Sequence, residues 1–340
     1  MPRLRRSDCS APGIARRRRG RGFEFLDPDG ARVDDPETLE RIAALAIPPA
    51  WRDVWICLDP LGHLQATGID AAGRKQYRYH DHWRTRRDRE KYGSMIEFGN
   101  ALPKLRRRVT RDLRADSELT ERRVLACATR LLDLGFFRIG SEDYAVTNES
   151  YGLATMLKRH VTIERDEVVF DYPGKSGQRR FHAIADDDVR EIVAELKRRR
   201  GGGPELLAYR NGGRRWVDVR SEDINAYVKA VTSHEFSAKD FRTWNATVLA
   251  AIAVAADPRE PASGTAYKRI ASSAVKTVAV YLGNTPAVAR ASYIDPRVFD
   301  RLRSGWTIAD TLAEVGAPDL ANPRKRTRIE AAVLDVLEGE

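Results

Sequence analysis

Four residues whose side chains could bind and react with a phosphate group stand at the predicted ends of separate elements. They are Arg138, Lys175, Arg242 and Tyr293. Cationic side chains bind phosphate oxygens through charge-assisted hydrogen bonds, and a tyrosine hydroxyl can act as a nucleophile. Taken singly, an arginine is usually a surface group and a tyrosine usually packs in a core or at its rim. Types and spacing alone therefore indicate a DNA-binding protein and leave open whether it is an enzyme.

The motifs of nucleotide-dependent and metal-dependent enzymes are missing from the sequence. Gly174-Lys175-Ser176 resembles the end of a phosphate-binding loop, but that motif needs a glycine in place of Val169 and a helix where the pattern predicts a strand. There is no H-E-x-x-H, no G-x-S-x-G and no paired-carboxylate signature. Asp186-Asp187-Asp188 is better explained as the start of a helix than as a metal site. We expect neither a metal nor a cofactor.

The charge of the chain favours a polyanionic partner. Lys and Arg number 59 against 49 Asp and Glu, a formal net charge of +10. Residues 1–22 hold eight Arg and only Asp8 as an acidic residue. We predict that they form a flexible basic arm, which either adds non-specific DNA affinity or is merely solvated. Further basic runs at 84–91 and 104–114 flank the expected domain junction and favour a surface that follows a phosphate backbone.

The cysteines and the apolar runs indicate where the protein works. Cys9, Cys57 and Cys127 are few and widely spaced, which is typical of a reduced protein without disulfides or a zinc site. No signal peptide is visible, and the apolar stretch near Val248–Ala256 is too short to span a bilayer. We expect a cytoplasmic protein that binds no membrane.

The apolar patterning predicts an α+β protein of two domains. Short apolar runs between turn signals predict a small β-rich domain over residues 23–93. Helical spacing dominates residues 94–340, interrupted by runs at 161–163, 168–170 and 179–182 that predict a short three-stranded sheet. Capping residues mark several helices of the larger domain, which we place at 186–200, from Ser237 to about Ala256, at 265–282 with Gly283 as C-cap, from Thr285-Pro286, and at 326–338.

Several blocks of the sequence, in order, are similar to those of type IB DNA topoisomerases. The N-terminal blocks are Ile47–Cys57, Gly62–Gly68 and Gly73–His80. The catalytic blocks are Phe137–Gly140, Gly174–Gly177, Lys239–Asn245, Leu282–Thr285 and Ser292–Pro296. The resemblance covers roughly residues 40–300, and it implies the mainly helical catalytic fold that these enzymes share with tyrosine recombinases.

The resemblance implies a role for each candidate residue. Tyr293 attacks a backbone phosphate and becomes bonded to its 3′ end, while Arg138 and Arg242 hold the non-bridging oxygens. Lys175 protonates the departing 5′ oxygen, since an ammonium group can release a proton and a guanidinium effectively cannot. Asn284 stands where part of the family has His; it can position a phosphate oxygen but cannot act as a base. The sequence names no general base for Tyr293.

The resemblance also implies a nucleoid-associated monomer that binds double-stranded DNA and contacts it through the N-terminal strands. The candidates are Lys75, Gln76, Tyr77 and Tyr79. The run they belong to alternates basic or polar residues with aromatic ones, so its tyrosines either contact DNA or pack inward as in an ordinary sheet.

Two other functions remain as alternatives. A tyrosine recombinase would share the nucleophile, but recombinases usually have H-x-x-R around the second arginine, and Lys239 occupies the His position here. A non-catalytic DNA-binding protein would not need the complete set of Arg, Lys, Arg and Tyr.

Overall fold

The computed structural model describes residues 3–140, 142, 145, 149–212, 215–256, 261 and 263–339. The chain divides into two compact units, residues 1–93 and 94–340. A five-stranded sheet dominates the first unit, and helices dominate the second. The predicted α+β fold class is therefore confirmed.

The N-terminal unit is built on an antiparallel sheet with strand order β2-β1-β3-β4-β5. Its core consists of Ile14, Val54, Ile56 and Ala66 from the sheet and Ile42 from the one helix that lies between β2 and β3. That helix begins where the Asp35 carboxylate accepts the Thr38 amide at 2.8 Å. The elements are β1 (Ile14–Arg19), β2 (Gly22–Leu26), α1 (Pro36–Ala44), β3 (Arg52–Ile56), β4 (Leu64–Ile69) and β5 (Lys75–Tyr79).

The described part of residues 1–22 is not the flexible arm that its charge suggested. Ile14–Arg19 forms β1, which pairs with both β2 and β3. Ile14 is buried in the core, whereas Arg17 and Arg19 are exposed and pair with Glu24 of β2. The strand was not predicted because most of its residues are arginines. A half-exposed strand needs apolar residues on one face only, so a charged run can still form one.

One long helix, α2 (Asp81–Leu113), carries both basic runs except Arg114, and it begins before residue 94, where the helical domain was predicted to start. The runs are not uniformly solvated. Arg106 is mostly buried and forms salt bridges with Asp133 and Glu330, and Arg108 pairs with Asp112. These arginines are occupied by carboxylates, so the second run is in part structural rather than a surface for phosphates.

The second unit is mostly helical around a small antiparallel sheet of order β6-β7-β8, with a separate β9-β10 hairpin. Phe98, Phe137, Phe170, Phe241 and Trp244 are among its largest buried side chains. Its strands are β6 (Val161–Ile163), β7 (Val168–Pro173), β8 (Arg179–Ile184), β9 (Ala208–Arg210) and β10 (Trp216–Asp218). Its helices after α2 are α3 (Glu121–Leu134), α4 (Asp187–Arg198), α5 (Ser221–Thr232), α6 (Ala238–Ala255), α7 (Gly264–Leu282), α8 (Pro286–Ser292), α9 (Arg297–Arg303), α10 (Ala309–Val315) and α11 (Pro323–Glu338).

The predicted caps set the ends of α6, α7 and α8. The Ser237 amide and hydroxyl both donate to the Asp240 carboxylate, at 2.8 and 3.0 Å. Gly283 ends α7 in the left-handed conformation with φ +59°, and the Thr285 hydroxyl accepts the Val288 amide. These local signals fix where the residues between the helices lie.

The apolar stretch near residues 248–256 lies largely on α6, whose side chains there are mostly buried. No helix in the described ranges combines the length and the apolar character that a membrane span requires.

Candidate active site

The candidate site forms around the C-terminal end of α7. The last four carbonyls of a helix have no intrahelical donor, and that end carries partial negative charge. Guanidinium groups supply donors here. Arg242 Nη2 donates to Leu282 O at 3.1 Å, and Arg138 Nη2 donates to Gly283 O at 3.2 Å. Two arginines from distant parts of the sequence therefore meet at one helix end.

Arg242 lies in the first turns of α6 and is 4% exposed. Its Nη1 donates to the Phe136 carbonyl, which fixes the guanidinium on a second side. Its Cζ lies 5.2 Å from the centroid of the Tyr293 ring. Burial lowers the pKa of Arg242, but a guanidinium starts so high that it keeps its charge at neutral pH. A fixed cation thus stands beside the tyrosine.

Tyr293 is half-buried at the C-cap of α8, where its amide donates to Ala289 O at 3.1 Å. Burial by itself raises the pKa of Tyr293. The charge and hydrogen bond of Arg242, with the charges of Arg138 and Lys239, outweigh burial and hold the pKa below its usual range. The surrounding cations therefore favour the phenolate, which is the nucleophilic form.

A second tyrosine in the same surroundings behaves in the opposite way. Tyr172 of β7 is 3% exposed, and burial raises its pKa to about 12 although Arg180, Arg242 and Arg138 act to lower it. Arg242 and Arg138 thus act on both tyrosines, and the pKa is lowered only at the more exposed one.

Asn284 follows the α7 cap and faces Arg138. Its Oδ1 accepts a hydrogen bond from Arg138 Nη2. Its Nδ2 and Arg242 Nε are buried and have no hydrogen-bond partner within the described part of the chain. Leaving a buried donor without a partner is costly, so each of these two N–H groups retains an unused hydrogen-bonding capacity.

Lys175 lies at the tip of the β7–β8 hairpin, in the short 3₁₀ helix Lys175–Gly177. The turn is closed by hydrogen bonds from Gly174 N to Gln178 O and from Gly177 N to Gly174 O. Lys175 is exposed, whereas Arg138, Arg242, Asn284 and Tyr293 are buried or half-buried. The structure thus gathers these four around the α7 end and leaves the lysine on a solvent-facing tip.

In the N-terminal unit, β5 turns Lys75, Tyr77 and Tyr79 to the exposed face of the sheet. The two tyrosine rings stack with centroids 6.1 Å apart, and they are 47% and 39% exposed. Gln76 lies on the other face, where its Nε2 donates to Asp70 at 2.9 Å. The alternative of inward-packed tyrosines is therefore wrong, and Gln76 does not share a face with the other three.

Sequence reasoning gave no role to two side chains of β8 that belong to this region. His182 packs against the Phe137 ring at 4.6 Å, and burial, reinforced by the Arg180 and Arg242 charges, lowers its pKa to about 3. Arg180 binds carbonyls of α7. The alternation of β8 places both on the face opposite Arg179 and Phe181, which was the only sequence signal that could have grouped them.

The described residues include no group of three or more His, Cys, Asp or Glu side chains that could hold a metal ion. Cys9, Cys57 and Cys127 are free thiols.

Comparisons with known proteins agree with this architecture. The family model for the catalytic core of eukaryotic DNA topoisomerase I matches residues 80–308, and that for the N-terminal domain of bacterial DNA topoisomerase IB matches residues 22–70. DNA topoisomerase 1B of Acanthamoeba polyphaga mimivirus is 32% identical over 288 residues, which cover 83% of this chain and 85% of the relative. DNA topoisomerase I of monkeypox virus and DNA topoisomerase 1B of vaccinia virus (strain Copenhagen) are each 21% identical over 284 residues, 82% of this chain and 85% of the relative. The matched core contains every residue gathered at the α7 end, and the chain belongs to the type IB DNA topoisomerases.

Proposed function

We propose that this chain relaxes supercoiled duplex DNA by cutting one strand through Tyr293, letting the helix unwind, and resealing the break. One observation carries the proposal. The Tyr293 phenol, with its lowered pKa, lies beside the buried Arg242 guanidinium at the helix end that also binds Arg138. A nucleophile and two fixed cations therefore lie together at one helix end, which is the arrangement that attack on a phosphate requires.

In the cleavage step, Tyr293 first releases its proton to water, and the phenolate oxygen attacks the phosphorus in line while the bond from phosphorus to the 5′ oxygen breaks. The product is a 3′-phosphotyrosyl bond and a free 5′ hydroxyl. Negative charge grows on the non-bridging oxygens in the transition state, where Arg138, Arg242 and the free amide of Asn284 donate. Fixed donors of this kind usually supply much of the acceleration, because they need no reorganisation during the reaction.

Lys175 supplies the proton that the leaving 5′ oxygen needs. Its ammonium group stands on a hairpin tip that is exposed in the free protein, so DNA can reach it. Resealing runs the same steps backwards, with the 5′ hydroxyl attacking the phosphotyrosine.

The reaction needs neither ATP nor a metal ion on chemical grounds. The phosphotyrosyl bond conserves the energy of the broken phosphodiester, and guanidinium groups stabilise the charge that a metal would otherwise bind. All five residues belong to one chain, so we also propose that a monomer suffices.

The exposed face of β5 is our candidate for a DNA contact by the N-terminal unit. Lys75 can pair with a phosphate, and the stacked rings of Tyr77 and Tyr79 offer apolar surface to bases or sugars. Gln76 is less suited, since its amide is already bound to Asp70.

The decisive assay is relaxation of supercoiled plasmid in EDTA without ATP, together with trapping of the covalent adduct. The wild-type chain should relax a plasmid that has no special site, whereas a recombinase would need paired sites. Tyr293→Phe should bind DNA nearly normally, yet relax nothing and form no adduct. Tyr281→Phe is the matched control, because Tyr281 is exposed at the end of α7 and keeps its ring contact with Phe136 as a phenylalanine. Relaxation by Tyr293→Phe would show that another residue is the nucleophile.

A further inference from the structure

A third guanidinium, that of Arg180, binds the same helix end. Arg180 lies on β8, where it pairs across the hairpin with Tyr172. Its Nη1 donates to Val280 O at 3.5 Å, and its Nη2 donates to Tyr281 O. Arg242 and Arg138 donate to the next two carbonyls. Four consecutive carbonyls at the end of α7 therefore accept hydrogen bonds from guanidinium groups. The helix end therefore joins the β7–β8 hairpin to the two arginines of the site.

Two glycines let the Arg180 side chain pass between the turns that carry Lys175 and Asn284. A Cβ on Gly283 would lie 2.0 Å from Arg180 Nη1, and a Cβ on Gly174 would lie 2.6 Å from Arg180 Cγ. Gly174 directly precedes Lys175, and Gly283 directly precedes Asn284. The arginine thus fills the space between the two turns, and a side chain at either glycine would force it to move.

The hydrogen bonds of Arg180 point to a positioning role rather than to phosphate binding. Both of its Nη atoms donate to backbone carbonyls. Burial lowers its pKa, and the charge of Arg138 acts in the same direction. The hairpin turn is closed by its own backbone bonds, but those bonds do not fix where its tip lies relative to α7. The guanidinium of Arg180 supplies that link.

We propose that Arg180 is a positioning residue that holds the Lys175 hairpin against the C-terminal end of α7, so that the ammonium group reaches the leaving 5′ oxygen. This inference rests on the general-acid role proposed for Lys175. It goes beyond that role, because it assigns the placement of the acid to a residue that itself touches no reacting atom.

The test compares single-turnover cleavage of two duplex oligonucleotides that differ only in the bridging 5′ atom, oxygen or sulfur. A 5′ sulfur leaves as a thiolate and needs no proton, so a misplaced acid no longer limits the rate. Arg180→Ala should slow cleavage of the oxygen substrate by roughly 10- to 100-fold, at or below the usual contribution of a general acid. The sulfur substrate should recover most of that loss.

Three further variants make the result specific. Lys175→Ala lacks the proposed acid altogether, so its recovery on the sulfur substrate is the largest that loss of the acid can produce. Arg179→Ala is the matched control, because Arg179 is the exposed neighbour on the other face and pairs with Asp171; it should keep the wild-type ratio of the two rates. The double variant Arg180→Ala/Lys175→Ala should be no slower than Lys175→Ala alone, since residues that act through one group are not additive.

Equal slowing on both substrates, or a double variant slower by the product of the single effects, would overturn the proposal. If Arg180→Ala lowers the thermal midpoint too far to assay, Arg180→Lys keeps a cation that can reach a carbonyl and should show a weaker form of the same rescue. Absence of sulfur rescue in Lys175→Ala, in an enzyme that still forms the Tyr293 adduct, would refute the general-acid role and this inference with it, and would leave the nucleophile assignment standing.

Discussion

At the scale of single residues, the site depends on the balance between burial and neighbouring charge. Arg242 and Arg138 act on two tyrosines of the site region. The pKa of Tyr172 is raised to about 12, whereas that of Tyr293 is lowered. Burial wins at Tyr172, and the contact with Arg242 wins at Tyr293. The phenolate is favoured at Tyr293 because this tyrosine lies near a guanidinium and is only half-buried.

This balance predicts how cleavage depends on pH. The rate should rise as the pH rises through the lowered pKa of Tyr293, because the phenolate fraction increases. Lys239→Gln removes one of the charges that lower this pKa, so its rate profile should move to higher pH, with slower cleavage below the midpoint and little difference above it. Single-turnover cleavage over a pH series measures the shift.

Lys268→Gln is the control for that experiment, because Lys268 lies at the opposite end of α7, is exposed and has no part in the Tyr293 shift. An unchanged profile in Lys239→Gln would mean that the lysine charge does not reach the phenol.

At the scale of elements, the C-terminal end of α7 holds the arginines of the site together. Its carbonyls bind Arg180, Arg242 and Arg138, and Gly283 allows the chain to turn toward Asn284. A helix C-terminus suits this purpose because its carbonyls need donors and its dipole favours cations.

Gly283→Ala should therefore damage the site as well as the fold. The left-handed backbone costs about 1–3 kcal/mol for a residue with a Cβ, and the new methyl group would displace Arg180. We expect a lower thermal midpoint and slower cleavage. Gly212→Ala is the control in the same unit, because Gly212 has a similar φ of +52° and open space at its Cβ. It should share the strain and spare the cleavage rate; equal cleavage loss in both variants would contradict the role of the α7 end.

At the scale of the whole catalytic unit, a buried ionic cluster ties together α2, α3, α6 and α11. Arg106 and Arg326 both bind Asp133 and Glu330, and Trp244 Nε1 donates to Glu330 at 3.1 Å. Trp244 lies two residues after Arg242, so the cluster supports the helix that carries a proposed catalytic arginine. The four charges balance, and breaking such a cluster leaves an unpaired buried charge.

The cluster predicts a loss of stability in acid. Burial raises the pKa of Asp133, but Arg326 and Arg106 lower it to about 2, and the pKa of Glu330 is also lowered. Carboxylates depressed on folding stabilise the protein fully above their unfolded pKa of about 4, and this contribution is lost as the pH falls toward about 2. The thermal midpoint should drop over that range.

Glu330→Gln should lower the free energy of unfolding by about 3–5 kcal/mol at neutral pH and flatten the acid dependence. Glu314→Gln is the control, because Glu314 pairs with Arg328 on the exposed side of α11; it should change stability by less than about 1 kcal/mol. Thermal unfolding of both variants from pH 7 to pH 2 provides the measurement. Similar losses of stability in the two variants would contradict the stabilising role of the cluster.

The sequence by itself determined the local features of this protein. Capping residues located the ends of α6, α7 and α8, and short apolar runs between turn signals predicted the β-rich N-terminal unit and located β6 to β8. The ordered blocks identified the family and the five candidate residues. These signals depend on neighbours within a few positions, so they can be read without the fold. Charge was the misleading signal: it predicted a flexible arm where β1 forms and a phosphate-binding surface where Arg106 is mostly buried and paired with carboxylates.

Only the tertiary structure decided which groups share a space. Three arginines bind successive carbonyls of one helix, and burial raises the pKa of Tyr172. Glu330 of the last helix accepts a hydrogen bond from Trp244. All of these features depend on contacts between distant segments. Burial sets the pKa of a side chain and the partners of its donors, and burial is a property of packing, which no local pattern in the sequence specifies.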